Sequence, residues 1–239
     1  MQEPTFHNLR IAILEDDPTN RARLSDLITM IGAVALAVPP PAPALTDLEP
    51  FLVRQRISMV VCDHRLFERG DYAPYTGADA IKVSYQSGRG GVLVTAYENA
   101  DAESSIRAHR RWIPALVHAT ELRRAVLESA LVRADRETRQ HLPVPQRVPY
   151  RTLVTVRSLV TKGSETIVKV VMGQWRSTEE VGFPLSMLPV EMHESVVPGN
   201  MLIAQVNLEA ERGEDVFFDQ FELPDPDVLR KSQAFFDRP

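Results

Sequence analysis

Only one cysteine, Cys62, stands among 239 residues. That excludes an internal disulfide and a cysteine-rich zinc site. No stretch approaches the roughly 20 uninterrupted apolar residues that a membrane span requires. The opening residues, Met1 to Asn8, are polar and lack the basic and apolar regions of a signal peptide. The expectation is therefore a cytoplasmic location without membrane association. Lysine is missing from the whole stretch between Lys82 and Lys162. What remains is ordinary for a globular protein, with 44% hydrophobic and 25% charged residues and a formal net charge of −5. The length suffices for two modest domains with real cores.

Three short apolar runs end in chemistry-bearing residues. Leu9-Arg10-Ile11-Ala12-Ile13-Leu14 ends in Glu15-Asp16-Asp17, Ile57-Ser58-Met59-Val60-Val61-Cys62 ends in Asp63, and Gly91-Val92-Leu93-Val94 ends in Thr95-Ala96. Buried parallel strands read this way, and open α/β sheets place their sites at the carboxyl ends of such strands. Brought together on neighbouring strands, the acids repel one another unless a hard divalent cation sits among them. Mg²⁺, with its preference for oxygen ligands, is the natural candidate.

In order and spacing, the run to Glu15-Asp16-Asp17-Pro18, then Asp63, then Thr95-Ala96, resembles the receiver domain of bacterial two-component response regulators. The resemblance covers roughly residues 8 to 135. It implies a doubly wound α/β fold with a parallel five-stranded sheet, and phosphorelay signalling in which Asp63 is the phosphoacceptor. It also implies that Thr95, followed by Ala96, carries the switch hydroxyl. Glu15, Asp16, Asp63 and the backbone carbonyl of Arg65 would hold Mg²⁺, with a histidine kinase or phosphotransfer protein as donor. Receivers commonly self-associate, so a homodimer belongs to the same expectation.

The intervening sequence supports the alternation such a sheet needs. Pro18 and Thr19 open a helix with Leu24, Leu27, Ile28 and Ile31 at helical spacing, and Gly32 stops it. Val34–Val38 is a short strand, Pro39–Pro43 a stiff connector, and Leu45–Gln55 and Gly77–Gln86 are helices. Asn99–Arg111 reads as a charged, exposed helix and Pro114–His118 as a fifth strand. Thr120 can cap a final helix running to about Asp135, with Leu122, Val126, Leu127, Ala130 and Leu131 as its buried stripe.

Two features depart from the receiver pattern. The polar and aromatic loop from His64 to Thr76 is longer than usual, and reads as either a functional loop or a plain insertion. Receivers also carry a lysine at the end of the fifth strand, where this chain has Val117-His118-Ala119. Its compact charge would contact the phosphoryl oxygens. His118, if protonated, and Arg65 are the alternative cations; a strand-end histidine bonded to backbone or water and a solvated arginine are their plainer readings. Among the acids, Asp17 suits the helix N-terminus, and Cys62 suits a core position.

Beyond the final helix, Leu142–Pro149 holds three prolines and no glycine, the composition of a stiff linker. The domains expected are receiver-like over residues 1–138, a linker over 139–149, a small antiparallel β domain over 150–223 and an acidic tail over 224–239. Tyr150–Val160 and Glu165–Met172 form a hairpin, and Val181–Leu185, Gly199–Leu208 and Val216–Leu223 supply further strands of a small all-β barrel or sandwich. Glu191, His193 and Glu194 lack zinc-site spacing and read as a solvated turn. Trp175 and Phe183 read as barrel core or a protein-contact anchor.

Residues 146–239 carry ten basic and fourteen acidic residues, a balance of −4. A phosphate-binding face normally shows as a basic stripe, which argues against nucleic acid and for a protein partner. The chain thus reads as a response regulator signalling through a protein-binding β domain, with no enzymatic activity beyond self-phosphotransfer. The alternatives are a phosphorylation-independent pseudo-receiver acting as an adaptor and a nucleic-acid-binding regulator.

Overall fold

The computed structural model describes residues 6–68, 70, 72–96 and 102–225. The chain divides into two compact units. The first runs to Asn99 and resumes at Trp112–Val144, whereas the second joins Ala100–Arg111 to Pro145–Pro239.

In the first unit β1 (Arg10–Leu14), β2 (Val34–Ala37), β3 (Met59–Asp63), β4 (Gly90–Thr95) and β5 (Ala115–His118) form one sheet in the order β2-β1-β3-β4-β5. Every pairing is parallel. This is the expected doubly wound arrangement, with the order reversing beside β1 and β3. Alternate residues of the strands point to opposite faces. Ile11, Ile13, Met59, Val61, Val92, Val94 and Val117 share a core with Leu24 and Ile28 of α1 (Pro18–Met30) and Leu127, Ala130 and Leu131 of α4 (Arg124–Arg139). The intervening Ala12, Leu14, Val60, Cys62 and Leu93 are equally inaccessible. Burial on both faces is why these strands are continuously apolar. On the remaining face α2 (Leu45–Arg54) packs against α3 (Gly77–Gln86).

The helix starts are encoded locally. Asp17 Oδ1 accepts from the backbone N–H of Thr19 (2.8 Å) and Asn20 (2.9 Å), with Pro18 at the first helical position. Thr76 and Asp79 form a reciprocal capping box at α3. The last helix departs from expectation. Thr120 does not cap it: Ala119–Glu121 forms a short 3₁₀ turn capped by His118, and α4 starts only at Arg124.

The second unit holds β6 (Tyr150–Lys162), β7 (Glu165–Val171), β8 (Val181–Pro184), β9 (Met201–Val206) and β10 (Phe218–Glu222) in the antiparallel order β10-β9-β6-β7-β8. Register shifts in β6 between Val156 and Ser158, and in β10 between Asp219 and Glu222, bend the strands. The curled sheet is a half-barrel around Val154, Val168, Phe183, Leu202, Val206 and Phe218. Phe183 and Phe218 meet with ring centroids 4.9 Å apart, and Trp175 packs on this core while its indole N–H donates to the Ala210 carbonyl at 2.8 Å. His193 Nε2 lies 3.1 Å from the Leu188 carbonyl in a 3₁₀ turn.

The segment before β5 corrects a second expectation. Residues 99–101 lie outside the described residues, and Arg107–Trp112 is a 3₁₀ helix rather than part of an exposed α-helix. Arg107 and Arg110 are buried, and this segment packs in the second unit.

Candidate acidic site

The register of the sheet gathers the site. Leu14 pairs with Cys62 and Asp63 with Val94, so Glu15 and Asp16 leave β1 beside Asp63 on β3, next to Thr95 on β4. One carboxylate oxygen each from Glu15, Asp16 and Asp63 lie within 4.8 Å of one another. Asp17, Asn20, Arg65, Glu68, Thr95 and Ala96 complete the lining of the cleft. All six residues expected at the site are therefore brought together there.

Burial governs the electrostatics. Glu15 is almost inaccessible, and its carboxyl is pushed up to about 8, first by burial and then by the charge of Asp63. Asp63 is pushed up to about 6, again chiefly by burial, although backbone N–H groups of Arg65 and His64 favour its ionised form. The Arg65 N–H donates to Asp63 Oδ2 at 2.7 Å. The Arg65 guanidinium, considered as a stand-in for the missing lysine, pairs with Glu68 at 2.8 Å. Among the described residues, Arg65 is the one basic residue lining the cleft. His118 stands at the end of β5, paired with Val94's neighbour Thr95 across the sheet. Its Nδ1 lies 2.6 Å from the Thr120 hydroxyl and accepts from the Thr120 N–H at 3.4 Å.

The donor set fits Mg²⁺. Three hard carboxylate oxygens converge, burial and then the neighbouring acids favour protonation of Glu15 and Asp63, and a divalent cation relieves both penalties.

The loop after β3 is built into this site. The Tyr72 hydroxyl donates to the Val38 carbonyl at 3.0 Å and accepts from the Glu15 N–H at 3.3 Å. Arg21 donates to the Glu15 carbonyl at 2.7 Å, so the main chain of Glu15 is held from both sides. The Tyr75 hydroxyl donates to the Pro43 carbonyl at 2.8 Å, and the Ala42 N–H to the Tyr72 carbonyl at 2.8 Å. The loop is thus strapped to the Pro39–Pro43 connector. Neither tyrosine stood out in the sequence, because their partners are backbone groups more than thirty residues away. Tyr72→Phe leaves a buried N–H and a buried carbonyl without this partner, and is expected to cost about 1–3 kcal/mol by urea denaturation. Tyr75→Phe, which loses one bond, should cost less; equal and negligible effects would show that the strap is not held by these hydroxyls.

No protein-family model matches the chain, and no curated protein sequence matches it. Among solved structures, the chain is similar to a response regulator receiver domain protein from Clostridium thermocellum, at 14% identity over 56% of this chain and 99% of that one, with a TM-score of 0.43. It is similar to the BeF3-activated N-terminal receiver domain of Klebsiella pneumoniae RstA, at 17% identity over 53% and 98% of the two chains, with a TM-score of 0.41. A third similarity is to the receiver domain of Saccharomyces cerevisiae Ssk1, solved with the histidine phosphotransfer protein Ypd1, at 14% identity over 58% and 95%, with a TM-score of 0.40. By its strand order and all-parallel pairing, the first unit is a doubly wound five-stranded α/β sheet.

Proposed function

We propose that this protein is a response regulator in which Asp63 accepts a phosphoryl group and the β domain signals to a protein partner. The observation supporting it is the convergence of Glu15, Asp16 and Asp63 beside Thr95 at the carboxyl edge of the sheet. A carboxylate oxygen of Asp63 attacks phosphorus while the bond to the donor's imidazole nitrogen breaks; the electron pair stays on that nitrogen. Mg²⁺, when bound, supplies the positive charge that offsets the phosphoryl oxygens and the crowded acids. Glu15, Asp16, Asp63 and the Arg65 carbonyl are its ligands. The Thr95 hydroxyl donates to a phosphoryl oxygen, with Ala96 beside it on the same wall. A histidine kinase or phosphotransfer protein is the donor, and the setting is cytoplasmic. The acidic balance of the second half favours a protein as the β domain's partner over nucleic acid.

A second reading, a pseudo-receiver that docks without turning over phosphate, is favoured by the missing lysine and by the engagement of His118 Nδ1 with Thr120. Intact-mass measurement after incubation with acetyl phosphate and Mg²⁺ separates the two. The expected result is one phosphoryl group on the wild type, added slowly, none on Asp63→Asn, and more on His118→Lys. No adduct on the wild type, together with no binding of beryllofluoride, would leave the docking reading.

A further inference from the structure

Two side chains close on the main chain of Glu15, where β1 hands over to the acidic site. Along the ladder between β1 and β2, the Val34 N–H donates to the Leu9 carbonyl at 2.8 Å and the Val38 N–H to the Ile13 carbonyl at 3.0 Å. The even spacing of a parallel ladder would next pair the Glu15 N–H with the Val38 carbonyl. The Tyr72 hydroxyl stands between those two groups instead, accepting from the Glu15 N–H at 3.3 Å and donating to the Val38 carbonyl at 3.0 Å. Tyr72, 2% exposed, is thus a wedge in place of the last rung. On the other side of Glu15, Arg21 of α1 donates to its carbonyl at 2.7 Å, and the guanidinium lies 6.0 Å from the centre of the Tyr72 ring.

A residue has two soft dihedrals between planar peptide groups, so holding both its N–H and its C=O fixes the direction in which its side chain leaves. At Glu15 both are held, and the carboxylate is tied in turn, because Oε1 accepts from the Asp17 N–H at 3.1 Å. The Glu15 carbonyl belongs to the peptide group that carries Asp16, so the clamp also sets where the second acid starts. One carboxylate oxygen each from Glu15, Asp16 and Asp63 lie within 4.8 Å of one another, and a rotation at Glu15 changes that spacing. Mg²⁺ demands near-ideal octahedral geometry at about 2.0–2.1 Å, whereas Ca²⁺ takes about six to eight oxygens at about 2.3–2.6 Å in adaptable geometry. A donor set that loses its stiffness therefore loses more for Mg²⁺ than for Ca²⁺.

We propose that Tyr72 and Arg21 are positioning residues that make the acidic site selective for Mg²⁺ over Ca²⁺, by clamping the Glu15 main chain between the loop after β3 and α1. The proposal rests on the reading of Glu15, Asp16 and Asp63 as a divalent-cation site. Without the Tyr72 hydroxyl, the Glu15 N–H can turn to the Val38 carbonyl and complete the rung, and the donor set loses its fixed spacing. Arg21 acts on the same residue through its carbonyl and also carries charge. Both cations are divalent, so losing that charge shifts the two affinities together, and only a change of geometry separates them.

Calorimetric titration of the full chain with magnesium chloride and with calcium chloride tests it, in the wild type and in Tyr72→Phe, Arg21→Gln, Arg21→Lys and Tyr75→Phe. The expected result is a ratio of Mg²⁺ to Ca²⁺ affinity that falls about fivefold in Tyr72→Phe and in Arg21→Gln. Arg21→Lys, whose ammonium still donates to a carbonyl, should restore most of the ratio. Tyr75→Phe removes the bond from the same loop to the Pro43 carbonyl without touching Glu15, and should leave the ratio unchanged. A loop with a merely structural role would make the two tyrosine variants alike. An unchanged ratio in Tyr72→Phe, with Mg²⁺ still bound by the wild type and lost in Asp16→Ala, would overturn the clamp and leave the cation site intact. A wild type that binds neither ion would overturn both. Should Tyr72→Phe fail to fold, Arg21→Gln carries the ratio, and an unchanged ratio in that variant would count against the proposal.

Discussion

Gly77→Ala is expected to destabilise the first unit by about 3 kcal/mol, the upper end of the usual cost of overpacking, and to weaken Mg²⁺ binding with it. Gly77 opens α3 directly behind Asp63, and its N–H donates to the His64 carbonyl at 2.8 Å. A Cβ added there would lie 1.8 Å from the Asp63 carbonyl oxygen and 2.9 Å from Cys62 Sγ. The first of these neighbours is main chain, so no rotamer change removes the clash. Either α3 or the end of β3 has to move, and the second choice displaces the Asp63 carboxylate from Glu15 and Asp16. Gly173→Ala is the matched control, since a Cβ there meets nothing within 4 Å; it should be neutral or slightly stabilising. Urea denaturation of the two variants, with Mg²⁺ titration of each, checks the expectation. Equal stabilities would show that α3 absorbs the methyl group without cost.

The reach of the sequence ends where contacts become long-range. The β1, β3 and β4 ends were legible because burial on both faces demands apolar runs, and each run stops at a polar residue that the sheet order then collects. Asp17 as the helix cap, rather than a fourth member of the acid cluster, was legible for a similarly local reason. The start of α4 was not, because His118 Nδ1 takes the Thr120 N–H into a 3₁₀ turn and postpones the helix to Arg124. The segment around Arg107 misled more seriously. A run rich in arginine and glutamate reads as a solvated helix face, and nothing local reveals that carbonyls of Gly182, Gly213 and Glu214, more than seventy residues away, accept its guanidinium protons. Tyr72 escaped for the same reason, with Val38 and Glu15 as distant backbone partners.

Without a divalent cation, the first unit is expected to lose stability as pH rises from 5 to 7. The acids behind this are Glu15 and Asp63, raised to about 8 and about 6 from ordinary values of 4.5 and 3.8. Their folded-state values lie above their unfolded ones, so the folded chain holds protons that the unfolded chain has released. The stabilisation is fully present below about pH 4 and is lost as pH climbs through about 6 for Asp63 and about 8 for Glu15. Each group costs about 1.4 kcal/mol per pH unit inside its window, which puts the combined loss between pH 5 and 7 at about 4 kcal/mol, the larger part from Glu15. Other groups titrate over the same range, so the informative quantity is the difference between wild type and variants. Glu15→Gln and Asp63→Asn should each flatten the profile, and Asp63→Asn should be more stable than the wild type at pH 7 in the presence of a chelator. Mg²⁺ at a hundred times its Kd should return about 2.7 kcal/mol to the wild type at pH 7, less at pH 5, where protons compete for the same oxygens, and much less to Asp63→Asn. A wild type whose stability is flat across this range, or an Asp63→Asn variant less stable than the wild type at pH 7, would mean that the three carboxylates do not crowd one another in solution.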